Sequence, residues 1–517
     1  MITNGRVQLY PFLRVALMLV VGVVVGEAYS SSVAQIVYAS VAVALVVASL
    51  FCWRKPVLQT CLVFVAVTVV GAWYTAHYVK VHETVLPKHD VETRVAVMSR
   101  PVVKGRVVRF DALGVGGACN GRMLKVTLLR DDGVPCADSV RLGDGLVLWS
   151  VLKSPADVTR SQRGRFDYSL WLRTHDFVAQ TFVLPGNWKT EVLRLTSVSK
   201  VQRLRLAALR LRDRLLKNIG STLDDETLAV VSAMALGDKS SLDKELKERY
   251  SVSGASHLLA LSGLHLSVIY VVLSLIVVRR RWNVWGQVAA VAAIWGYVLL
   301  VGMPASVVRA ALMITLYASA AAAGNDGMVG NNIGIAATLM LLFNPYCLWD
   351  VGFQMSFAAV LAIFVFFLPI YRVVPKEWTF THRFGRWVWT VVAVSVAAQV
   401  GVAPLVLYYF GRFSCYFLLT NIVAIPLATV VIYLALAFLC TSFVPYVSTA
   451  VALVLGWAVK LLDWSVGAVA SLPGASIDGL YVGRLQLFLI YVFIGCMYMV
   501  SRYCWKVYCF LHYRVNR

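Results

Sequence analysis

Residues 417–443 read FLLTNIVAIPLATVVIYLALAFLCTSF, a stretch of 27 residues without a single charged side chain. The hydrocarbon core of a bilayer is about 30 Å thick, and a helix needs about 20 apolar residues to cross it. This stretch is longer than that and holds Pro426 in its first half. Because proline removes a helix hydrogen bond, we predict a membrane helix here that is broken at Pro426.

Eleven further apolar runs share this character, so the sequence predicts a polytopic α-helical membrane protein with about 12 membrane segments. Three runs precede a long polar stretch, and the others follow it. The run 330–343 is short for a full span, and a re-entrant segment is the alternative there. The eleven runs are 12–28, 33–52, 57–77, 256–278, 284–302, 304–323, 330–343, 351–368, 388–410, 448–470 and 485–500.

The composition agrees with this class of protein. Hydrophobic residues make up 59% of the chain and charged residues only 14%, against about 25% charged in soluble domains. An ordinary soluble enzyme and a disordered scaffold are therefore excluded. Lys and Arg number 48 against 26 Asp and Glu, a net charge of +22. We expect these charges in loops, at helix ends or along a polar conduit.

Basic residues cluster in the loops between apolar runs, and the positive-inside rule uses this asymmetry to orient the chain. With the N-terminus in the cytoplasm, twelve segments place every cluster and the C-terminus on the cytoplasmic side. The polar stretch 79–250 then lies mainly outside. The clusters are Arg54 and Lys55; Arg279, Arg280 and Arg281; Arg372, Lys376, Arg383 and Arg386; and Arg502, Lys506, Arg514 and Arg517.

The polar stretch begins with a pattern typical of short β-strands. Alternating runs at 95–97, 105–110, 122–129, 145–151 and 177–183 are separated by turns rich in glycine and aspartate. Five strands at this spacing predict an exterior OB-like small β-barrel. We divide the chain into N-terminal membrane helices (1–78), this exterior β domain (79–198), basic amphipathic linker helices (199–250), a second membrane domain (251–505) and a basic tail (506–517).

The insert is strongly basic, with 25 basic and 13 acidic residues between positions 80 and 220. Positive charge interleaved with aromatic rings is typical of single-strand binders, because charge follows the phosphates and rings stack on bases. The competing interpretation places the rings in the barrel core. The basic helix at 200–218 likewise fits an anionic membrane surface or a nucleic acid. The DNA-contact candidates are Arg163, Arg165, Phe166, Trp171 and Arg173.

Two of the ten cysteines, Cys119 and Cys136, fall in the exterior domain, where an oxidising environment permits a disulfide between them. No HxHxDH cluster, HExxH pair or CxxC pair occurs in the sequence, so we expect no metal and no cofactor. The phosphate-loop pattern GxxxxGK[ST] is absent as well, so ATP hydrolysis by this chain is not expected.

Residues 250–268 read YSVSGASHLLALSGLHLSV, which places polar side chains among the leucines of a helix expected to enter the membrane. Polar groups inside a membrane are costly and usually face a bundle interior or a water-filled path, although helix–helix hydrogen bonds are an alternative. Arg309 and Asp350 fall in the same leaflet, which predicts an ion pair between them. The conduit candidates are Ser256, His257, Ser262, His265, Arg309, Asp350, Gln354, Gln399 and Asn421.

Several of these stretches together resemble the ComEC competence-protein family, the inner-membrane channel of DNA uptake. They are ALGD at 235–238, SHLLALSGLH at 256–265, PASVVRA at 304–310, DVGFQMSF at 350–357, AQVGVAP at 398–404, YFGR at 409–412 and NIVAIP at 421–426. In the insert, GRFDYSLWL at 164–172 resembles the segment that closes the exterior domain of the family. The resemblance covers about 33–491.

The resemblance implies a channel component that passes single-stranded DNA across the bacterial cytoplasmic membrane, with 251–505 as the competence membrane domain. It implies as partners single-stranded DNA, membrane lipids, an exterior DNA receptor, a cytosolic ATP-dependent motor or single-strand-binding proteins, and further copies of the chain. Many members continue into a metallo-β-lactamase-like domain whose ligand pattern is missing here, so neither nuclease nor other enzyme activity is expected. The alternatives are a permease for a small or lipid-linked substrate, and an intramembrane hydrolase that uses Ser262 and His265.

Overall fold

The structure is a computed structural model that describes residues 10–82, 86–130, 139–157, 167–192, 199–220, 222–277, 284–323, 329–375, 382–441 and 444–515. The chain forms two compact units. The first unit comprises Met1–Leu242, Ala260–Phe353 and Val431–Gly456, and the second comprises Asp243–Leu259, Gln354–Val430 and Trp457–Arg517.

Sixteen α-helices lie within the described residues, and ten of them are long and apolar enough to cross a membrane. The prediction of a polytopic helical membrane protein is thereby confirmed. The ten are α1 (Pro11–Ala28), α2 (Ser32–Phe51), α3 (Pro56–His82), α9 (Val284–Val301), α10 (Ala305–Ala322), α12 (Val351–Tyr371), α13 (Arg383–Phe410), α14 (Phe417–Thr441), α15 (Pro445–Ala470) and α16 (Arg484–Val515).

The remaining helices are shorter or more polar. Two of them, α8 (Gly263–Val277) and α11 (Val329–Phe343), are apolar but shorter than a full span. The other four are α4 (Tyr168–Thr174), α5 (Lys200–Gly220), α6 (Asp225–Leu236) and α7 (Lys244–Val252).

Helices α1 and α3 approach each other closely because glycine leaves room for the neighbouring backbone. A Cβ atom added at Gly22 would lie 2.1 Å from the carbonyl oxygen of Thr68, and one at Gly26 would lie 2.3 Å from that of Ala72. The two glycines are four residues apart and so share one face of α1. This is the small-residue spacing that membrane helices use to pack backbone against backbone.

Two predictions about helix boundaries are wrong. Helix α14 continues through Pro426 instead of breaking there. Membrane helices tolerate proline because neighbouring groups can satisfy the freed carbonyl. The membrane segment predicted to begin at Ser256 begins at Gly263, because the residues from Ser253 to Ser262 separate α7 from α8. The second of these residues, Gly254, has φ +83°, a left-handed conformation that ends α7 and that other residues rarely adopt.

Within its described residues, the insert between the first and second groups of membrane helices contains a mixed sheet of eight short strands. They are β1 (Val91–Val97), β2 (Val102–Lys104), β3 (Val107–Gly114), β4 (Met123–Leu129), β5 (Gly145–Ser150), β6 (Leu152–Lys153), β7 (Phe177–Val183) and β8 (Trp188–Thr190). The order is β6-β7-β4-β3-β1-β5-β8, with β2 paired to β3. The pair β4–β7 is parallel and the other pairs are antiparallel.

The five predicted strands are present, but the sheet is not closed into the predicted barrel. One edge of β5 pairs with β1, and β8 occupies its other edge through Leu146–Leu148 and Trp188–Thr190. The short strand β6 then contacts β7 through only two residue pairs. The inward side chains of β3 and β4 alternate as expected for one covered face, and Phe110 and Val126 are among the buried residues.

Candidate functional site

A group of stacked rings surrounds Trp171 on α4. The Asp167 carboxylate accepts a hydrogen bond from the backbone N–H of Leu170 and so caps the start of this helix. The Trp171 ring lies 5.6 Å from that of Tyr168, 4.5 Å from that of His175 and 5.8 Å from that of Phe177. We call these four residues the ring cluster; Tyr168 and Trp171 are half-buried, His175 is exposed and Phe177 is buried beneath them.

A cation lies against the ring cluster. The ammonium group of Lys125, on β4, is 5.5 Å from the centres of both the Trp171 and Phe177 rings. The same ammonium donates to the Asp111 carboxylate at 2.5 Å, so its position is fixed by an ion pair. Aromatic faces beside a fixed cation can hold a base by stacking and its phosphate by charge.

The other predicted exterior residues are only partly described. Arg163, Arg165, Phe166 and Cys136 lie outside the described residues. Arg173, two residues after Trp171, donates to the Tyr346 hydroxyl at 3.5 Å and so does not join the ring cluster. Cys119 is buried within the sheet core, and burial raises the pKa of its thiol to about 11. The disulfide stays a prediction.

The basic helix α5 uses its arginines as caps. Arg205 donates to the carbonyl of Gly302 at 3.5 Å, and Arg212 donates to that of Val301 at 3.0 Å. These carbonyls end α9, where the last C=O groups of a helix have no partner within it. Burial lowers the pKa of both guanidinium groups, and nearby carboxylates oppose that shift. Two of the predicted lipid-facing or DNA-facing arginines therefore stabilise the end of a membrane helix.

The motif at 235–238 ends α6 and carries a buried carboxylate. Gly237 has φ +71° and closes the helix, so that the buried Asp238 follows directly. The Asp238 carboxylate lies 3.4 Å from the guanidinium of Arg100, in the loop between β1 and β2, and accepts from the backbone N–H of Ser240 at 3.0 Å. This residue therefore joins the sheet domain to the start of the membrane region, a role that the motif did not predict.

The structure brings Ser262 and His265 together at the start of α8. The Ser262 Oγ lies 2.7 Å from His265 Nδ1, and the backbone N–H of Ser262 donates to the same nitrogen at 3.2 Å. A side chain three residues into a helix that accepts from the N–H of the cap residue is the arrangement of a capping box. The pair thus stabilises the first turn of α8. This capping role accounts for the Ser262 and His265 spacing without a catalytic nucleophile.

The two preceding candidates have a different environment. Ser256 and His257 lie in the non-helical segment between α7 and α8, and both are exposed in the isolated chain. His257 Nδ1 lies 3.2 Å from the carbonyl oxygen of Gly254 and so donates to it. These two residues therefore do not lie in the membrane helix that the sequence predicts for them.

Arg309 is buried within α10 and Asp350 caps α12. Arg309 is 3% exposed and donates to the carbonyl of Ser306 at 3.3 Å. The Asp350 carboxylate accepts from the backbone N–H of Phe353 at 2.8 Å and acts electrostatically on Arg309. The two groups therefore interact through their charges, and the closer ion pair stays a prediction.

Three further candidates lie on membrane helices of the second unit. Tyr409 donates to Gln354 Oε1 at 2.8 Å, and Asn421 donates to Ser395 Oγ at 3.2 Å. Gln399 follows Ser395 by four residues on α13, so both share one face of that helix. Polar groups from α12, α13 and α14 are therefore paired across membrane helices.

A second polar group of the same unit has no signature in the sequence. The short strands β9 (Arg412–Ser414) and β10 (Ser476–Asp478) pair with each other. Arg412 contacts Asp478 and lies 2.7 Å from the Glu248 carboxylate on α7. These carboxylates raise the pKa of Arg412. The pattern YFGR was noted, but partners far along the chain cannot be identified from spacing.

The membrane region also matches a known family. The family model described as Competence protein matches residues 234–503, more than half of the chain. The chain belongs to the competence protein family. The resemblance seen in the sequence is thereby confirmed, and all nine conduit candidates of this competence protein lie inside the matched region.

This competence protein is similar to ComE operon protein 3 of Bacillus subtilis (strain 168), with 27% identity over 271 residues. The similar stretch is 52% of this chain and 32% of that relative, so the chain matches about a third of the relative's length. No solved structure matches the chain. The ring cluster and the sheet domain lie outside the family match.

Proposed function

We propose that this chain is a membrane channel component that passes single-stranded DNA inward across the bacterial cytoplasmic membrane. The observation that carries the proposal is the competence-family match over residues 234–503. Among the described residues, ten helices are long and apolar enough to cross a membrane, and they supply the scaffold that such a component requires. We take the chain to act without catalysis of its own.

The polar contacts of the second unit support a conducting role. Asn421 with Ser395, and Gln354 with Tyr409, are uncharged donor and acceptor groups on membrane helices. Polar groups at this depth generally face the bundle interior or a water-filled path, and they are costly elsewhere. A strand that carries many phosphates needs neutral or positive groups along its route, and these residues meet that requirement.

The exterior sheet domain is proposed to present the strand. Its ring cluster and Lys125 combine stacking faces with a cation, the chemistry of sequence-tolerant single-strand binding. We further propose that an exterior DNA receptor delivers the strand, and that a cytosolic ATP-dependent motor or single-strand-binding protein draws it inward. We also propose further copies of this chain as partners.

The proposed orientation keeps both termini in the cytoplasm and residues 79–250 mainly outside. The pairing of β9 with β10 and the contact of Arg412 with Glu248 bring three segments to one end of the second unit. The predicted topology places all three on the exterior side. This agreement supports the proposal, and cysteine labelling of Cys415 in intact cells tests it directly.

A clean deletion tests the function. Cells without this chain should bind labelled duplex DNA at the surface but fail to accumulate nuclease-resistant single strands, and the wild-type chain should restore uptake. A chain with Asn421→Leu should reach the membrane normally yet restore little uptake, whereas Tyr446→Phe, at a side chain that is 91% exposed, should restore it fully. Unchanged DNA uptake in the deletion strain would reject the channel role and favour the permease alternative.

A further inference from the structure

A cavity of about 220 Å³ lies in the first unit, where the end of α3 meets the sheet domain. Tyr78 and His82 contribute from α3, Arg173 from α4 and Asp176 from the turn before β7. Tyr346, in the 3₁₀ turn that separates α11 from α12, completes the aromatic side. Because one water occupies about 30 Å³ of liquid, the cavity is large enough for a small polar group.

The length of α3 places the cavity at the expected depth of the lipid headgroups. Helix α3 has 27 residues and is therefore about 40 Å long, more than the roughly 30 Å of hydrocarbon. Tyr78 and His82 occupy its last turns, which extend beyond the apolar layer. Trp349 lies in the same turn as Tyr346, and Tyr and Trp concentrate near the surface in membrane proteins.

With a neutral His82 ring, one side of the cavity presents two acceptors to each other. His82 Nδ1 lies 2.9 Å from the carbonyl oxygen of Tyr78 and donates to it, which leaves Nε2 of the neutral ring as an acceptor. This Nε2 lies 3.7 Å from Asp176 Oδ1, beyond hydrogen-bond distance. Asp176 also accepts from the Tyr78 hydroxyl at 3.3 Å and is 60% exposed. A primary ammonium, with three N–H donors, would satisfy both acceptors.

The other side presents a cation. Arg173 lies with its guanidinium 6.0 Å from the centre of the Tyr346 ring and donates to the Tyr346 hydroxyl at 3.5 Å. Among the described residues, no carboxylate lies within ion-pair distance of Arg173. A guanidinium has five N–H donors in a planar fork that matches a phosphate, so most of its donors remain for a ligand.

We propose that this cavity binds the headgroup of a phospholipid that carries both a phosphate and a primary ammonium, as phosphatidylethanolamine does. The phosphate binds Arg173, and the ammonium bridges Asp176 and His82 beside the Tyr78 ring. Such a lipid would fasten the sheet domain to the outer membrane surface, next to the contact in which Asn344 donates to the Thr174 carbonyl at 3.3 Å. The headgroup site does not depend on the proposed DNA transport, and only its assignment to the exterior membrane surface rests on the proposed orientation.

A headgroup series tests the proposal on the wild-type chain. The full chain, purified in mild detergent and stripped of lipid, receives equimolar phosphatidylethanolamine and phosphatidylcholine with identical acyl chains, and native mass spectrometry counts the retained lipids. We expect about a tenfold preference for the primary ammonium, equivalent to one charge-assisted hydrogen bond. The mono- and dimethylated headgroups should fall between the two, because each methyl group removes one N–H donor.

Two substitutions test the ammonium-binding side and the phosphate-binding side of the site separately. Asp176 has φ +62°, a left-handed conformation that asparagine tolerates well, so Asp176→Asn removes the charge and keeps the turn. This variant should lose most of the preference between the two lipids. Arg173→Gln should weaken retention of both lipids and leave their ratio unchanged. Glu92→Gln, at an exposed carboxylate of the same sheet, is the matched control and should behave as wild type.

Three results would overturn the proposal. Equal retention of all headgroups by the wild-type chain would show that no ammonium is recognised. A preference that survives Asp176→Asn would place the recognition elsewhere. Displacement of phosphatidylethanolamine by a short single-stranded oligonucleotide, with the same loss in Arg173→Gln, would assign the cavity to nucleic acid instead of lipid.

Discussion

The hydroxyl of Tyr250, in the last turn of α7, donates a hydrogen bond to the carboxylate of Asp463 within α15. Tyr250 is 1% exposed and Asp463 is 7% exposed. A carboxylate inside an apolar helix is unfavourable unless it is hydrogen-bonded. The contact therefore joins the short polar helix α7 to a membrane helix more than 200 residues later and makes Asp463 tolerable at its position.

Tyr250→Phe should lower the free energy of unfolding by about 1–3 kcal/mol, because it leaves a buried carboxylate without this donor. Asp463→Asn should cost less, since a neutral amide is easier to bury than a carboxylate. The double variant should be no less stable than Tyr250→Phe alone. Thermal unfolding in detergent measures all three, with Tyr446→Phe as the exposed control. Additive losses would show that the two groups are not coupled.

Arg212→Gln should destabilise the chain by about 1–2 kcal/mol, because the carbonyl of Val301 at the end of α9 loses a charged donor. Arg214→Gln removes the same charge from the exposed face of α5 and should change stability by less than about 0.5 kcal/mol. Equal effects of the two variants would mean that net charge, and not the cap, accounts for the loss. Thermal unfolding of the full chain in detergent distinguishes the two.

The membrane helices could be predicted from sequence because a bilayer demands long apolar runs, and this demand is local. Strand positions could be predicted for a similar reason, since alternation follows one covered face. Whether the sheet closes could not be predicted from sequence. It depends on β8 pairing with the free edge of β5, and pairing between distant segments leaves no local signal. Pro426 was misjudged because its effect depends on the surrounding helices.

The same distinction between local and long-range contacts holds for the polar residues of the candidate site. Ser262 and His265 are three residues apart, so their contact could be expected from helix geometry. Asp463 was identifiable as a carboxylate in an apolar run, but its partner Tyr250 was not. The pairing of Asp238 with Arg100 joins residues of two domains and has no counterpart in spacing. Local contacts were accessible from sequence, and contacts across the fold were not.

Cys119 and Cys136 should be joined by a disulfide in protein exported to the exterior. Burial raises the pKa of the Cys119 thiol to about 11, so a free thiol there would be protonated and unreactive in the folded chain at neutral pH. The test therefore blocks thiols after denaturation without reductant and maps the peptides. Recovery of a linked pair is expected, and recovery of both as blocked thiols would reject the bridge. Closing a loop of this size is worth about 3 kcal/mol.

Trp171→Ala should weaken binding of single-stranded DNA to the full chain in nanodiscs about tenfold, because stacking is worth about 1–3 kcal/mol per base. The slope of log affinity against log salt should not change, since no phosphate contact is lost. Trp171→Phe keeps a ring and should recover most of the affinity. Trp457→Ala, at an exposed ring of α15, is the control. Fluorescence anisotropy that shows equal affinity for all four chains would remove the ring cluster from the DNA site.

The effects of substituting Arg309 and Asp350 on stability should be coupled. The helix-capping role of Asp350 can be tested separately from its charge. Asp350→Asn keeps an oxygen that can accept from the N–H of Phe353, so it removes the charge but not the cap, whereas Asp350→Ala removes both. Arg309→Gln should cost about 1–3 kcal/mol, and adding Asp350→Asn should cost little more, because the pair is already broken. Thermal unfolding of these variants in detergent completes a double-mutant cycle for the two residues. If the two single losses simply add, the charges act independently and Asp350 serves α12 alone. If stability in the double variant is retained while DNA uptake is lost, the pair is dispensable for the fold and its charge is required by the translocating strand.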